Sequence, residues 1–154
     1  MLAALGNSNA ALIESLGGKV SHLQWDNYVQ TVLIESGKVS QACIIGRNDG
    51  SSWACSADFN LKAGEGNALV SLYNNPVNVF SAGVTIAGIK YFGIKYIGIK
   101  ADQRSIYAKK GASGVVIVRT GQAIIIGLYN ENMHAGNAGV AVEKLGDYLL
   151  SIGY

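Results

Sequence analysis

The chain has 154 residues, 49% of them hydrophobic, with 12 Lys and Arg against 10 Asp and Glu for a formal charge of +2. That length fits one domain with a real core, and the slight positive excess is far from the concentrated basic surface that non-specific nucleic-acid binding needs. No run reaches the roughly 18 apolar residues of a membrane span, and the opening MLAALGNSNAALIESL lacks the basic n-region of a secretory leader.

Without a leader, Cys43 and Cys55 read as two buried free thiols in a cytosolic protein, a disulfide between them being the alternative. In chain order, Asn7, Ser8 and Asn9 offer N-caps for a short helix through Leu16, which Gly17 and Gly18 would end. A helix so short is unstable alone, so it docks or frays. Residues 23–34 make a stronger one. At about 100° per residue Trp25, Val29, Val32 and Leu33 share a stripe, with Tyr28 on its edge beside Trp25. Ser36 and Gly37 stop it, and a strand follows over 39–46 whose Ala42 to Ile45 run is apolar on both faces. Asn48-Asp49-Gly50 then turns the chain into a second strand over 52–56, which carries Trp53.

Residues 64–73 form a short helix with Ala68, Leu69 and Leu72 inward, closed by Asn74, Asn75 and Pro76. A segment rich in Val and Gly leads into GIKYFGIKYIGIK, residues 88–100. Its Gly-Ile-Lys unit recurs at an odd spacing, so successive copies flip faces of a strand and cannot build one repeated surface. Ile89, Tyr91, Ile97 and Ile99 fall on one side and Phe92, Ile94 and Tyr96 on the other, which reads as a strand covered on both faces. A polar turn over 101–104 precedes a strand over 105–109 and a small loop over 110–113.

The organising stretch is GVVIVRTGQAIIIGLY, residues 114–129. Val115, Ile117 and Arg119 point to one face and Val116, Val118 and Thr120 to the other. Past a turn at Thr120 and Gly121, Ala123, Ile125 and Gly127 alternate with Ile124, Ile126 and Leu128. An antiparallel hairpin with one wet face alternates apolar with polar, and this one is apolar on both, so something covers each side. The last helix, over 137–152, carries Ala141, Val142, Leu145, Leu149 and Ile152 on one stripe, with Tyr148 at its edge. These elements predict an antiparallel sheet of about six strands, with the terminal helices on one face, the smaller middle helix on the other, and the chain ends close together.

Chemistry is sparse. The chain lacks a P-loop, a nucleophile elbow and a paired-Cys motif. Gly64 to Ala68, GEGNA, reads as a helix start, and His22 and His134 fall in polar connections that favour solvated or capping roles. Glu65, Asp102, Glu131 and Glu143 are scattered, so no carboxylate pair and no catalytic residue is assigned, and no metal or cofactor either. KYFGIKY, residues 90–96, mixes lysine with aromatics as RNA-binding sheets do, but base stacking needs an open sheet face. What stands out is a cluster of aromatics at stripe edges. If the terminal helices lie side by side, Trp25, Tyr28, Tyr148 and Tyr154 line a shallow groove, half uncovered, of the kind that takes polyproline II segments.

Trp25-Asp26-Asn27-Tyr28-Val29-Gln30 resembles the N-terminal signature of profilins, and Ala42 to Gly46, Asp49-Gly50 and Ser52-Trp53-Ala54 resemble their first hairpin. Ala101-Asp102-Gln103-Arg104-Ser105-Ile106-Tyr107, then Gly114-Val115-Val116, Val118-Arg119-Thr120 and Val142 to Leu149, carry the likeness onward. The order and spacing hold from Trp25 to Tyr154, which predicts an N-terminal extension over 1–22 and one profilin-like domain over 23–154. The resemblance implies an α/β fold of the α+β type, its central antiparallel sheet carrying the N- and C-terminal helices on one face and smaller helices on the other.

It also implies a cytoplasmic, cytoskeleton-associated protein that is not an enzyme. Such a protein binds monomeric actin, regulates actin polymerisation and nucleotide exchange, and delivers actin to proline-rich partners such as formins. By position the poly-proline-binding residues are Trp25, Tyr28, Trp53, Tyr148 and Tyr154, and the actin-binding residues Lys95, Lys100, Arg104, Lys109, Lys110, His134, Gly136 and Glu143. Phosphoinositide headgroups are a further expected ligand, for Lys95, Lys100, Lys109 and Lys110. The competing class is a small two-sided scaffold or sensor domain that binds no actin. The chain departs from the family pattern in its 22 leading residues, in Leu23 and Gln24 where a small residue usually precedes the tryptophan, and in a longer connection between Pro76 and Gly88.

Overall fold

The computed structural model describes residues 20–94, 99 and 104–154. The expected helix over 9–16 and positions 95–98 and 100 of the expected strand lie outside them. The first helical run opens on a capping box spelled Ser21-His22-Leu23-Gln24. The Gln24 N–H donates to Ser21 Oγ at 3.2 Å and the Ser21 N–H to Gln24 Oε1 at 2.9 Å. It continues as α-helix over His22–Asn27, π-helix over Tyr28–Leu33 and a 3-10 turn over Ile34–Ser36, together α1, and ends at Gly37 with φ of 73°. The π segment corrects the stripe. Its i→i+5 bonds advance fewer degrees per residue than an α-helix, which gathers Tyr28, Val29, Val32 and Leu33 into a narrower arc, and all four are buried.

Among the described residues seven strands build the sheet: β1 (Gln41–Gly46), β2 (Ser52–Cys55), β3 (Val84–Ile86), β4 (Ile89–Gly93), β5 (Ser105–Lys110), β6 (Ser113–Arg119) and β7 (Ala123–Tyr129). They lie in the order β2-β1-β7-β6-β5-β4-β3, each antiparallel to its neighbours. The strand beyond the expected six or so is β3. It pairs with β4 through the turn residues Ala87 and Gly88, at φ of 52° and 84°, the left-handed pair that a two-residue hairpin of matching twist requires. The remaining helices are α2 (Glu65–Leu72), α3 (Asn78–Ser81) and α4 (Ala135–Ser151).

The double-sided hairpin is covered as its pattern demands. Val116, Val118, Ala123 and Ile125 meet Tyr28, Val29 and Leu33 of α1 and Val142, Leu145 and Leu149 of α4 in one core. Val115, Ile117, Ile124, Ile126 and Leu128 meet Leu69 and Leu72 of α2 and Val79 of α3 in the other. α4 can lie this close to the sheet because Gly127 has no side chain, since a Cβ there would stand 2.6 Å from Val142 Cγ2. Cys43 and Cys55 face each other across β1 and β2, Cα atoms 4.1 Å apart, and are joined in a disulfide, in place of the free thiols expected. Strand register, which sequence spacing does not reveal, sets their Cβ atoms side by side.

The β6–β7 turn centres on Gly121 and Gln122, one residue later than expected, and it captures the last residue of the chain. Thr120 Oγ1 accepts from the Ala123 N–H at 3.0 Å and donates to the Tyr154 main-chain oxygen at 2.7 Å, to which the Gln122 N–H also donates at 2.5 Å. In turn the Tyr154 hydroxyl accepts from the Val20 N–H at 2.9 Å. The two ends of the domain therefore meet beside the central hairpin.

Candidate functional site

Three elements converge at that meeting point. α1 supplies Trp25 and Tyr28, β2 supplies Trp53, and the residues after α4 supply Tyr154. The Trp25 ring lies 4.7 Å from Trp53, 5.4 Å from Tyr154 and 5.6 Å from Tyr28, the last two nearly perpendicular, as ring quadrupoles prefer. Tyr28 in turn meets Tyr148 of α4 edge-on at 6.0 Å. All five aromatic residues of the expected groove are thus one connected cluster.

Their depths differ from the expectation. Trp53, Tyr148 and Tyr154 are half-buried, but Trp25 is only 7% exposed and Tyr28 not at all. The narrowed arc of α1 turns Tyr28 into the core with Val29 and Leu33, so Trp25 shows an edge at the surface and Tyr28 lies wholly beneath it. The Tyr28 hydroxyl is buried without a hydrogen-bond partner, and burial first, then the neighbouring Tyr148, pushes its pKa up. Above lies an open hollow of about 390 Å³ lined by His22, Trp25, Ser52, Trp53, Gln122 and Tyr154. His22 Nε2 stands 3.6 Å from Asp26 Oδ2 with both side chains largely exposed, a weak surface pair at best.

A second surface forms where α4 crosses the sheet. The Tyr107 hydroxyl donates to Glu143 Oε2, and burial, then Glu143, raises the pKa of Tyr107. Arg104 Nη2 reaches Asp147 Oδ1 at 2.6 Å with only 17% of the side chain exposed, so Arg104 ties α4 to β5. Two residues on from Tyr107, Lys109 pairs across the sheet with Phe92 of β4, and Lys90 Nζ stands 6.0 Å over the Phe92 ring. Strand alternation sends the exposed Lys110 to the opposite face. His134 is the exposed N-cap residue of α4, without a side-chain capping bond, and Gly136 is exposed two residues further on. Lys95 and Lys100 lie outside the described residues.

The profilin family model matches residues 23–154. The chain belongs to the profilin family. Profilin-P of Physarum polycephalum is 53% identical over 132 residues, which are 86% of this chain and all of that protein. Profilin-1 of Dictyostelium discoideum is 48% identical over the same shares. Among solved structures, Acanthamoeba castellanii profilin II is similar at a TM-score of 0.77 and 44% identity, covering 84% of this chain and 99% of that one. Mouse profilin IIa, solved in complex with a double repeat from the FH1 domain of mDia1, shares the fold at a TM-score of 0.68 and 22% identity over 84% of this chain and 99% of that one. Profilins are actin-binding and poly-proline-binding proteins of the cytoskeleton.

Several residues of this profilin's surfaces escaped the sequence reading. Ser52 and Gln122 sit beside the groove only because β2 and the β6–β7 turn come together there, and nothing in their own spacing marks them. His22 carried a legible signal, since Ser21 and Gln24 spell the capping box that fixes it one turn from Trp25. Phe92 is 45% exposed, correcting the expectation of a strand covered on both faces. The physical reason is reach: α4 packs mainly over β6 and β7, and β4 lies two strands beyond β6 in the sheet.

Proposed function

We propose that this profilin binds proline-rich segments, such as those of formins, in the aromatic groove, and binds monomeric actin through the surface around Lys109. In this role it is a cytoplasmic, cytoskeleton-associated adaptor that regulates actin polymerisation and nucleotide exchange and carries no reaction of its own. The observation that carries the reading is the open hollow between Trp53, the edge of Trp25 and Tyr154. A polyproline II segment is extended before it binds, so it loses little entropy, and its rings lie flat on aromatic faces held this close together. Such a segment offers carbonyl acceptors and no proline N–H.

On the actin side the support is placement. Lys109, Glu143, Gly136 and His134 border one sheet-and-helix surface with Arg104 beneath it, and exposed Phe92 adds an apolar centre of the kind interfaces use. Lys109 and Lys110, with Lys95 and Lys100, are the proposed contacts for phosphoinositide headgroups. The test uses the only two tryptophans in the chain, Trp25 and Trp53, as reporters. A peptide of consecutive prolines should shift or quench their emission, and an unchanged spectrum at roughly millimolar peptide would overturn the groove. The protein should also slow spontaneous assembly of purified actin, with Lys109→Glu relieving the effect; assembly that ignores both proteins would overturn the actin surface.

A further inference from the structure

We propose that the Cys43–Cys55 disulfide is a redox-controlled clamp on the strand that carries Trp53, and that a thiol reductant, by opening it, weakens the groove for proline-rich segments. This rests on the reading of the groove given above and adds its regulation. The starting observation is an irregularity in the ladder. Cys43 stands opposite Cys55 and Ile44 opposite Ala54, but Ile45 stands opposite Ser52, so Trp53 has no partner on β1. Trp53 is the extra residue of a β-bulge.

The bulge decides where the indole goes. Partners across a ladder share a face: Cys43 and Ile45 lie in the core under α2, Ile44 and Ala54 in the core under α4. Regular alternation from Ala54 would send Trp53 to the α2 side, with Cys55. The bulge turns it to the α4 side instead, where it packs against that core with its ring 4.7 Å from Trp25. It lies there across Gly46, at which a Cβ would come within 3.1 Å of the indole Nε1.

The bulge is held from two ends. At one, the turn after β1 sets Ser52 opposite Ile45, and the Gly46 N–H donates to the Ser51 carbonyl at 2.8 Å. At the other, the disulfide sets Cys55 opposite Cys43, so the spare residue is confined between these two points. With the bridge open, the second end keeps only its non-covalent ties, chiefly the Ala42 N–H to Ser56 Oγ at 2.9 Å and the Ser56 N–H to the Ala42 carbonyl at 2.8 Å. β2 is an outer strand whose one neighbour in the sheet, among the described residues, is β1. The bulge can then pass toward Ser56 and set Trp53 opposite Ile44. That moves the indole by one residue, about 3.3 Å, most of its separation from Trp25.

The pair is also placed to be cycled. In the compartment proposed above, a disulfide is usually transient or redox-sensing. Cys43 is wholly buried and Cys55 half-buried on the outer strand, so exchange begins at Cys55 Sγ. A thiolate, of glutathione or of a dithiol, attacks that sulfur, forms a mixed disulfide and expels the Cys43 thiolate, which takes a proton. A second thiol attacks the reductant's sulfur in the mixed disulfide, releases Cys55 as a thiol and leaves the reductant as its own disulfide. Two electrons pass from reductant to bridge, and oxidised glutathione reverses the sequence.

The experiment compares the full chain oxidised with glutathione disulfide, the same protein held in dithiothreitol, and a C43A/C55A variant, with intact mass reporting the state of the bridge. Without ligand, the emission maximum and acrylamide quenching follow Trp53, since Trp25 is nearly buried. With a peptide of consecutive prolines, the same emission reports affinity. The reduced protein should be quenched more readily and bind the peptide at least about fivefold more weakly than the oxidised one. Oxidised glutathione should restore both properties, and the variant should match the reduced protein and ignore dithiothreitol. Equal emission and quenching in the reduced and oxidised protein would overturn the clamp, whether or not either binds proline. So would a variant that responds to dithiothreitol as the parent does, or a reduced protein that oxidised glutathione leaves as a dithiol. If reduction changes quenching but neither state binds the peptide, the clamp stands and it is the proline reading that fails. Should the variant not fold, the reduced and re-oxidised parent decide the outcome by themselves.

Discussion

Replacing Tyr28 with Phe should stabilise the protein and leave its affinity for proline-rich ligands unchanged. In the free protein the Tyr28 ring is fully buried and its hydroxyl has no hydrogen-bond partner. A hydroxyl taken from water without compensation costs about 1–3 kcal/mol. Phe keeps the ring, and with it the edge-on contacts to Trp25 at 5.6 Å and Tyr148 at 6.0 Å. The variant should therefore be more stable by about 1 kcal/mol, the low end of that range because removing one oxygen leaves a small void. Urea denaturation followed by far-UV circular dichroism should show a higher midpoint at unchanged slope. A proline-rich ligand does not reach this hydroxyl, which is fully buried and stands outside the lining of the hollow, so the variant's affinity should equal that of the parent. A lower midpoint in the free variant would refute the claim that the hydroxyl is unpartnered. An affinity changed by more than about twofold would refute the seclusion of the hydroxyl from the groove.

Other consequences can be checked alongside. Glu65 is 8% exposed and its carboxylate accepts from the N–H groups of Lys62 at 2.9 Å, Ala87 at 2.6 Å and Gly88 at 2.8 Å. Glu65→Ala should cost about 3 kcal/mol, since it strands buried donors, and a loss below about 1 kcal/mol in urea would contradict the account. Ala87 holds φ of 52°, so Ala87→Gly should raise stability by about 1 kcal/mol by relieving the left-handed backbone; a lower melting temperature would argue otherwise. Burial raises the pKa of Tyr28, Tyr91, Tyr107 and Tyr129 above the ordinary 10.0. The unfolded chain ionises first as pH climbs, so this stabilisation is intact below about pH 10 and is lost as pH rises through the folded values. The tyrosinate absorbance of these four should accordingly appear together with unfolding, and their titration in a still-folded protein would count against it.

How far the sequence could be read depended on how local each signal was. Residues 114–129 announced their two-sided burial because strand alternation is set by the backbone alone, and Val115 and Val116 fall in the opposite cores that alternation requires. β3 was not legible: Val84-Thr85-Ile86 is too short for periodicity to show, and its turn uses Ala87 where Asn or Gly would have signalled the hairpin. Trp25, Tyr28, Tyr148 and Tyr154 were legible from helical spacing and Trp53 only from kinship with a known pattern, yet the depth of Tyr28 was misjudged because no sequence rule marks where an α-helix widens into a π-helix. Glu65 looked like one of several scattered carboxylates. Two of its three donors, Ala87 and Gly88, come from the distant β3–β4 turn, a relation that only the folded chain creates.

The sheet is a wall as much as a scaffold. Side chains of β6 and β7 go alternately to one interior or the other, so a volume lost on the α4 side cannot be refilled by enlarging a residue on the α2 side. Substitutions in Val118 and Ile117, although adjacent in the chain, should thus combine almost additively, while Val118 and Leu145, distant in sequence but sharing one interior, should not. Evolution can retune the layer behind the aromatic groove and leave the opposite layer untouched.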